Sequence, residues 1–142
     1  MEVIARKKRG LSGVYIFSAV LSCLLIILGA LSMIFAPLDG IVALLGGIIL
    51  LIVSIHIYKK VQATPEVIIS FDGVRLICTD GSFLIDEVQN IAYDFARGGK
   101  SYYRYKWGKL SIFINGEKHV YDFVEDVEQV QTRLMEILLK RK

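Results

Sequence analysis

Residues Leu11–Ala36 read LSGVYIFSAVLSCLLIILGALSMIFA, and Gly40–Tyr58 read GIVALLGGIILLIVSIHIY. Neither run contains an Asp, Glu, Lys or Arg across its 26 or 19 residues. As helices they would be about 39 Å and about 28 Å long, against a hydrocarbon core of about 30 Å. Between them, Pro37-Leu38-Asp39-Gly40 carries the chemistry that ends one helix and starts the next. A backbone in lipid must satisfy its own hydrogen bonds, so the reading is a membrane hairpin of two transmembrane helices. A cleaved signal peptide would have an apolar region of only about 7–15 residues, and no second span would follow at once.

The charges outside the hairpin agree. Of 142 residues, 31 are charged, and Asp39 is the one charge between Leu11 and Tyr58. The other 94 residues hold the remaining 30, so the 54% apolar average describes neither part. This distribution excludes a disordered chain, a nucleic-acid binder built on bulk positive charge, and an ordinary single soluble domain. Arg6, Lys7, Lys8 and Arg9 precede the first span, and Lys59 and Lys60 follow the second. The positive-inside rule then predicts a multi-pass protein of the cell membrane with both termini cytoplasmic and Asp39 outside. The expected segments are a basic N-terminus (1–10), the hairpin (11–58), a linker (59–65) and a cytoplasmic domain (66–142).

Small residues mark the packing face of the hairpin. Gly40, Gly47 and Ser54 recur every seven positions with Ala43 on the same side, and Ser22 and Gly29 share a side in the first helix. Small residues let helix backbones approach in lipid, either to close the hairpin or as the seam of a homo-oligomer. His56 lies near the cytoplasmic end of the second span, where an imidazole reaches the headgroups.

From Val61 the pattern becomes short apolar runs broken by turn residues. Val67–Phe71, Val74–Thr79, Ser82–Ile85, Asn90–Ala96 and Lys118–Val124 read as strands. Asp72-Gly73, Asp80-Gly81, Gly98-Gly99 and Asn115-Gly116 read as reversals. The expectation is an antiparallel meander of six or seven strands. Val127, Val130, Leu134, Ile137 and Leu138 then share one helical face, with Asp126 placed as its N-cap. One such helix can cover the apolar face that short strands leave open.

Phe83-Leu84-Ile85-Asp86-Glu87-Val88, followed by Gln89-Asn90-Ile91, sets an apolar strand before an acidic step and aliphatics three apart. With the Gly, strand, Asn-Gly turn, strand and helix from Gly108 to Leu139, the chain resembles the bacterial pleckstrin-homology-like (bPH) membrane proteins with two N-terminal helices. The resemblance implies an α+β PH-like domain behind the membrane hairpin. It implies a fold more than a function, since one fold hosts many roles.

No catalytic constellation stands out. His56 and His119 lie in different segments, Cys23 and Cys78 have no metal-ligand spacing, and no Gly-rich phosphate loop precedes a helix. Asp86 and Glu87 are neighbours and would point to opposite faces of a strand. Neither an enzyme, a cofactor nor a metal is expected.

One stretch is unusual. Arg97, Lys100, Arg104, Lys106 and Lys109 interleave with Tyr102, Tyr103, Tyr105 and Trp107, without an acid among them. Strand alternation puts Tyr103, Tyr105 and Trp107 on one face, whereas Leu110, Ile112 and Ile114 have the opposite parity. Either Gly108 marks a bulge that returns both sets to the core, or the aromatic stripe lies outside. Basic residues beside Tyr and Trp suit an anionic leaflet or a protein partner. The segment from Lys59 onward has 13 basic and 12 acidic residues, which argues against nucleic acid. The sequence therefore points first to a non-enzymatic interaction module anchored in the lipid bilayer, whose PH-like domain contacts a protein partner or the inner leaflet. Resemblance to some bacterial relatives suggests an immunity or protective role as an alternative. A subunit of a self-assembling membrane complex is a third reading, weakened by the scarcity of charge in the spans.

Overall fold

The computed structural model describes residues 1–98 and 103–140. The chain forms two compact units: residues 9–63, and a second made of residues 1–8 together with the chain from Thr64 onward.

The first unit is the helical hairpin, α1 (Leu11–Ser32) and α2 (Pro37–Ala63). Both are long and apolar enough to cross a membrane, with mean hydropathy 2.6. Pro37 opens α2, where its missing N–H costs nothing. The helix runs past Tyr58 to Ala63, so Lys59 and Lys60 belong to its last turns rather than to a linker. It stops before Pro65, which biases Thr64 away from helical angles.

The small residues close this hairpin. Ser22, Gly29, Gly40, Gly47 and Ser54 are buried, while Ala43 is half-buried. A Cβ on Gly29 would sit 2.7 Å from the Leu44 N, and one on Gly40 would sit 2.6 Å from the Met33 N. On Gly47 it would meet the Ile26 Cγ1 at 2.8 Å. Ser18 and Ser54 hydroxyls hydrogen-bond across the seam at 2.9 Å, and the Ser22 hydroxyl donates to the Ser18 carbonyl at 2.7 Å. The two helices are thus in backbone contact along one face, as small residues in lipid-soluble helices permit.

The second unit is an antiparallel domain of seven strands in two sheets. One sheet has the order β1 (Glu2–Arg6), β2 (Val67–Phe71), β3 (Arg75–Cys78) and β4 (Gly81–Leu84). The other runs β5 (Val88–Gly98), β6 (Tyr103–Ile114) and β7 (Glu117–Val124), and α3 (Val127–Leu139) follows. Residues expected only as a basic N-terminus therefore contain a strand. Val3 pairs with Ser70 and Arg6 with Val67, so the hairpin is inserted in the chain between two paired strands. Lys7 bridges to Val124, and the Glu125 N–H donates to the Arg6 carbonyl at 2.9 Å, which links the sheets through β1.

Turn chemistry explains the reversals. The Asp72 carboxylate accepts the Val74 and Arg75 N–H groups, an Asx turn. Asn115 and Gly116 both have positive φ, as a tight two-residue hairpin loop requires. Cys78 pairs with Gly81, which makes Thr79-Asp80 the β3–β4 loop and moves Gly81 into β4. Asp86 and Glu87 sit in a single 3-10 turn, where the Glu87 carboxylate accepts the Leu84 N–H at 3.0 Å.

Ile68, Ile69, Leu76, Ile85, Leu110 and Ile112 are buried in one cluster with Val127, Val130 and Leu134 of α3. Burial of each such side chain is worth about 1.5–3 kcal/mol. Gln131 donates to the Ile91 carbonyl at 3.1 Å and fastens α3 to the edge of β5. Asp126 does precede α3, but it is left-handed (φ 44°) and its side chain makes no capping bond.

Candidate contact surface

Backbone register settles the parity question around Gly108. Phe95 pairs with Gly108 and Arg97 with Arg104, so one β5 residue faces three of β6. A second irregularity lies between Gly108 and Leu110 against β7, where Phe123 has φ 61°. Gly108 is buried, and a Cβ there would collide with the Asp94 carbonyl oxygen. Leu110, Ile112 and Ile114 fill the core, but Tyr105 and Trp107 do not join them. Tyr105 is 40% exposed and its ring lies 5.9 Å from that of the half-buried Trp107, which is tilted against Phe123 at 6.3 Å. The register shifts therefore do not return Tyr105 and Trp107 to the core.

Pairing with β7 stops at Gly108 opposite Val124. Beyond it, β5 and β6 continue as a two-stranded arm. Arg97 and Arg104 are Cα partners on this arm, and both are exposed, as is Lys106. Arg97 reaches Asp94 only at 3.8 Å with both side chains about 70% exposed, an arrangement worth little. Neither Arg104 nor Lys106 is in an ion pair with an acid among the described residues. Lys109 lies 3.4 Å from Asp122 on β7, so it belongs to the root of the arm rather than its free face. The structure thus places Arg97, Arg104, Lys106, Tyr105 and Trp107 on one arm, with the cations and aromatics at alternate positions of β6. Lys100 and Tyr102 lie outside the described residues.

A second polar feature has no forerunner in the sequence reading. The Asp80 carboxylate accepts the Tyr121 hydroxyl at 2.6 Å and meets His119 Nδ1 at 2.6 Å, joining the β3–β4 loop to β7. The Phe83 ring lies 4.8 Å from the imidazole. His119 and Tyr121 share a strand face by alternation, but Asp80 is 39 and 41 residues away and reads as an ordinary turn residue. Partial burial works to raise the Asp80 carboxyl, yet the hydrogen bonds from Tyr121 and His119 outweigh it and hold it below the usual range. Burial pushes the Cys78 thiol up to about 11, which leaves it protonated and inert. The three-residue network reads as a brace between sheets, and no group of three or more His, Cys, Asp or Glu among the described residues could hold a metal.

Asp80→Asn is expected to cost about 1–2 kcal/mol at pH 7, the worth of hydrogen bonds to a charged group at a half-exposed site. Because the folded carboxyl is depressed, its contribution is complete above the unfolded value of about 4 and is lost as pH falls through the folded one. Denaturant titrations should show a constant gap between wild type and variant at neutral pH that narrows in acid. A gap that widens in acid would contradict the assignment.

No family model, curated protein or solved structure matches the chain.

Proposed function

We propose that the protein is a non-enzymatic module anchored in the cell membrane, which holds its sheet domain at the cytoplasmic surface so that the basic aromatic arm contacts the leaflet or a protein partner. The observation that carries this reading is the pairing of β1 with β2. These strands flank the hairpin in the chain, so a chain that crosses the bilayer twice keeps both on one side. Arg6–Arg9 and Lys59–Lys60 mark that side as cytoplasmic by the positive-inside rule. A seven-stranded meander closed by one helix is also what the resemblance to bPH membrane proteins leads one to expect. The small residues that a self-assembly seam would use are in contact within the hairpin itself, which favours the module over an assembling subunit. Sidedness labelling tests the reading: a cysteine at Val120, exposed on β7, should react only from the cytoplasmic side.

A further inference from the structure

The geometry points to the β5–β6 arm as a binding site for anionic phospholipid headgroups of the leaflet in which the hairpin is embedded, with Arg97, Arg104 and Lys106 as the phosphate contacts. This inference rests on the module reading above and names its ligand.

Three observations carry it. Arg97 and Arg104 stand directly opposite each other, and like charges across a strand pair repel. The one acid near the pair, Asp94, meets Arg97 only at 3.8 Å with both side chains exposed, so the pair leaves room for an anion from outside. Guanidinium groups meet phosphate through two parallel hydrogen bonds, so two exposed guanidiniums side by side suit a surface dense in phosphates. Lys106, two residues on from Arg104, is exposed as well.

The aromatic residues of the arm support lipid over a free anion. Tyr105 is partly exposed and leans on Trp107, and Trp107 is held against Phe123. Tyr and Trp are the side chains that settle at the headgroup level. Two grooves elsewhere in the domain have other linings. One of about 740 Å³ lies between Val3 and Ile4 of β1 and Gln129 and Arg133 of α3. Another of about 250 Å³ is lined by Phe71 and Ile137. The arm itself presents Arg97, Arg104 and Lys106 as exposed cations along a ribbon. Charge complementarity and the membrane-spanning hairpin together select the leaflet.

Trp107 is the sole tryptophan and reports on the arm directly. The full chain is reconstituted in vesicles of phosphatidylcholine, or of an equimolar mixture with phosphatidylglycerol, each doped with headgroup spin-labelled lipid. Trp107 quenching should be stronger in the anionic vesicles. High salt should remove the difference, and so should Arg104→Glu/Lys106→Glu. Each cation lost should lower the anionic preference about fivefold. Arg104→Lys/Lys106→Arg should keep it, and Lys118→Glu, away from the arm, should leave it unchanged. Equal quenching of wild type in both membranes overturns the inference, as does full quenching of the double Glu variant. A protein partner on the arm gives the first of these results. Such failures would leave the sidedness labelling intact, whereas a domain found outside the cell sinks the module reading itself.

Discussion

Gly29→Val should lower the stability of the helical hairpin by about 2–3 kcal/mol, the cost of overpacking a site that cannot yield. The reason lies in what surrounds the missing side chain. Its Cβ would meet backbone atoms, with the Leu44 N at 2.7 Å, the Gly40 O at 3.0 Å and the Leu44 Cα at 3.1 Å. A side chain could rotate away, but backbone can move only by separating α1 from α2. Separation would also break the Ser18–Ser54 hydrogen bond along the same seam. The natural control is Gly46, in the same helix as Gly47, where a Cβ meets nothing within 4 Å. Gly46→Val should stay within about 0.5 kcal/mol, as surface changes usually do. Thermal unfolding in detergent, followed by protease resistance, compares the two variants. Equal losses would contradict the assignment of the small-residue face to the hairpin interior.

Gly108→Ala should cost the sheet domain about 3 kcal/mol or more, since a Cβ that collides with the Asp94 O and lies 2.9 Å from the Phe95 Cα forces β5 and β6 apart. The loss should be local in character as well as large. Gly108 is where β7 pairing ends and the arm begins, with irregular register on both sides. Prying it open withdraws Trp107 from Phe123, so its fluorescence should shift to the red together with the drop in denaturation midpoint. An unshifted midpoint would mean that the strands do not cross so closely there.

The hairpin was legible because lipid imposes a severe rule, a long uncharged run, and Leu11–Ala36 obeys it. The C-terminal end of α2 is less legible for the same reason. Lys59 and Lys60 ended the uncharged run at Tyr58, yet lysines can stay helical while their charges reach the interface, and α2 continues to Ala63. The meander and α3 were legible from turn residues and helical spacing. β1 was not, because Glu2–Arg6 finds its partner Val67–Phe71 only across the whole hairpin, and two register shifts break its alternation.

The candidate surface was half legible. Composition alone marked the run from Arg97 to Lys109, but the side the aromatics take depends on extra residues in the ladder, which single-sequence parity cannot count. Register also divided the cations: Lys109 lies against Asp122 at the root, whereas Arg97 and Arg104 face each other on the arm. The Asp80–His119–Tyr121 brace needs the two sheets brought together before it exists.

The most direct test of the account is the sidedness of three positions in intact cells. Single-cysteine chains would carry Val3→Cys, Asp39→Cys or Val120→Cys in a background of Cys23→Ser and Cys78→Ala, and be exposed to a membrane-impermeant maleimide. The account predicts labelling of position 39 from outside, and of positions 3 and 120 only after the membrane is opened. Positions 3 and 120 on opposite sides of the membrane would contradict it, because β1 could not then pair with β2.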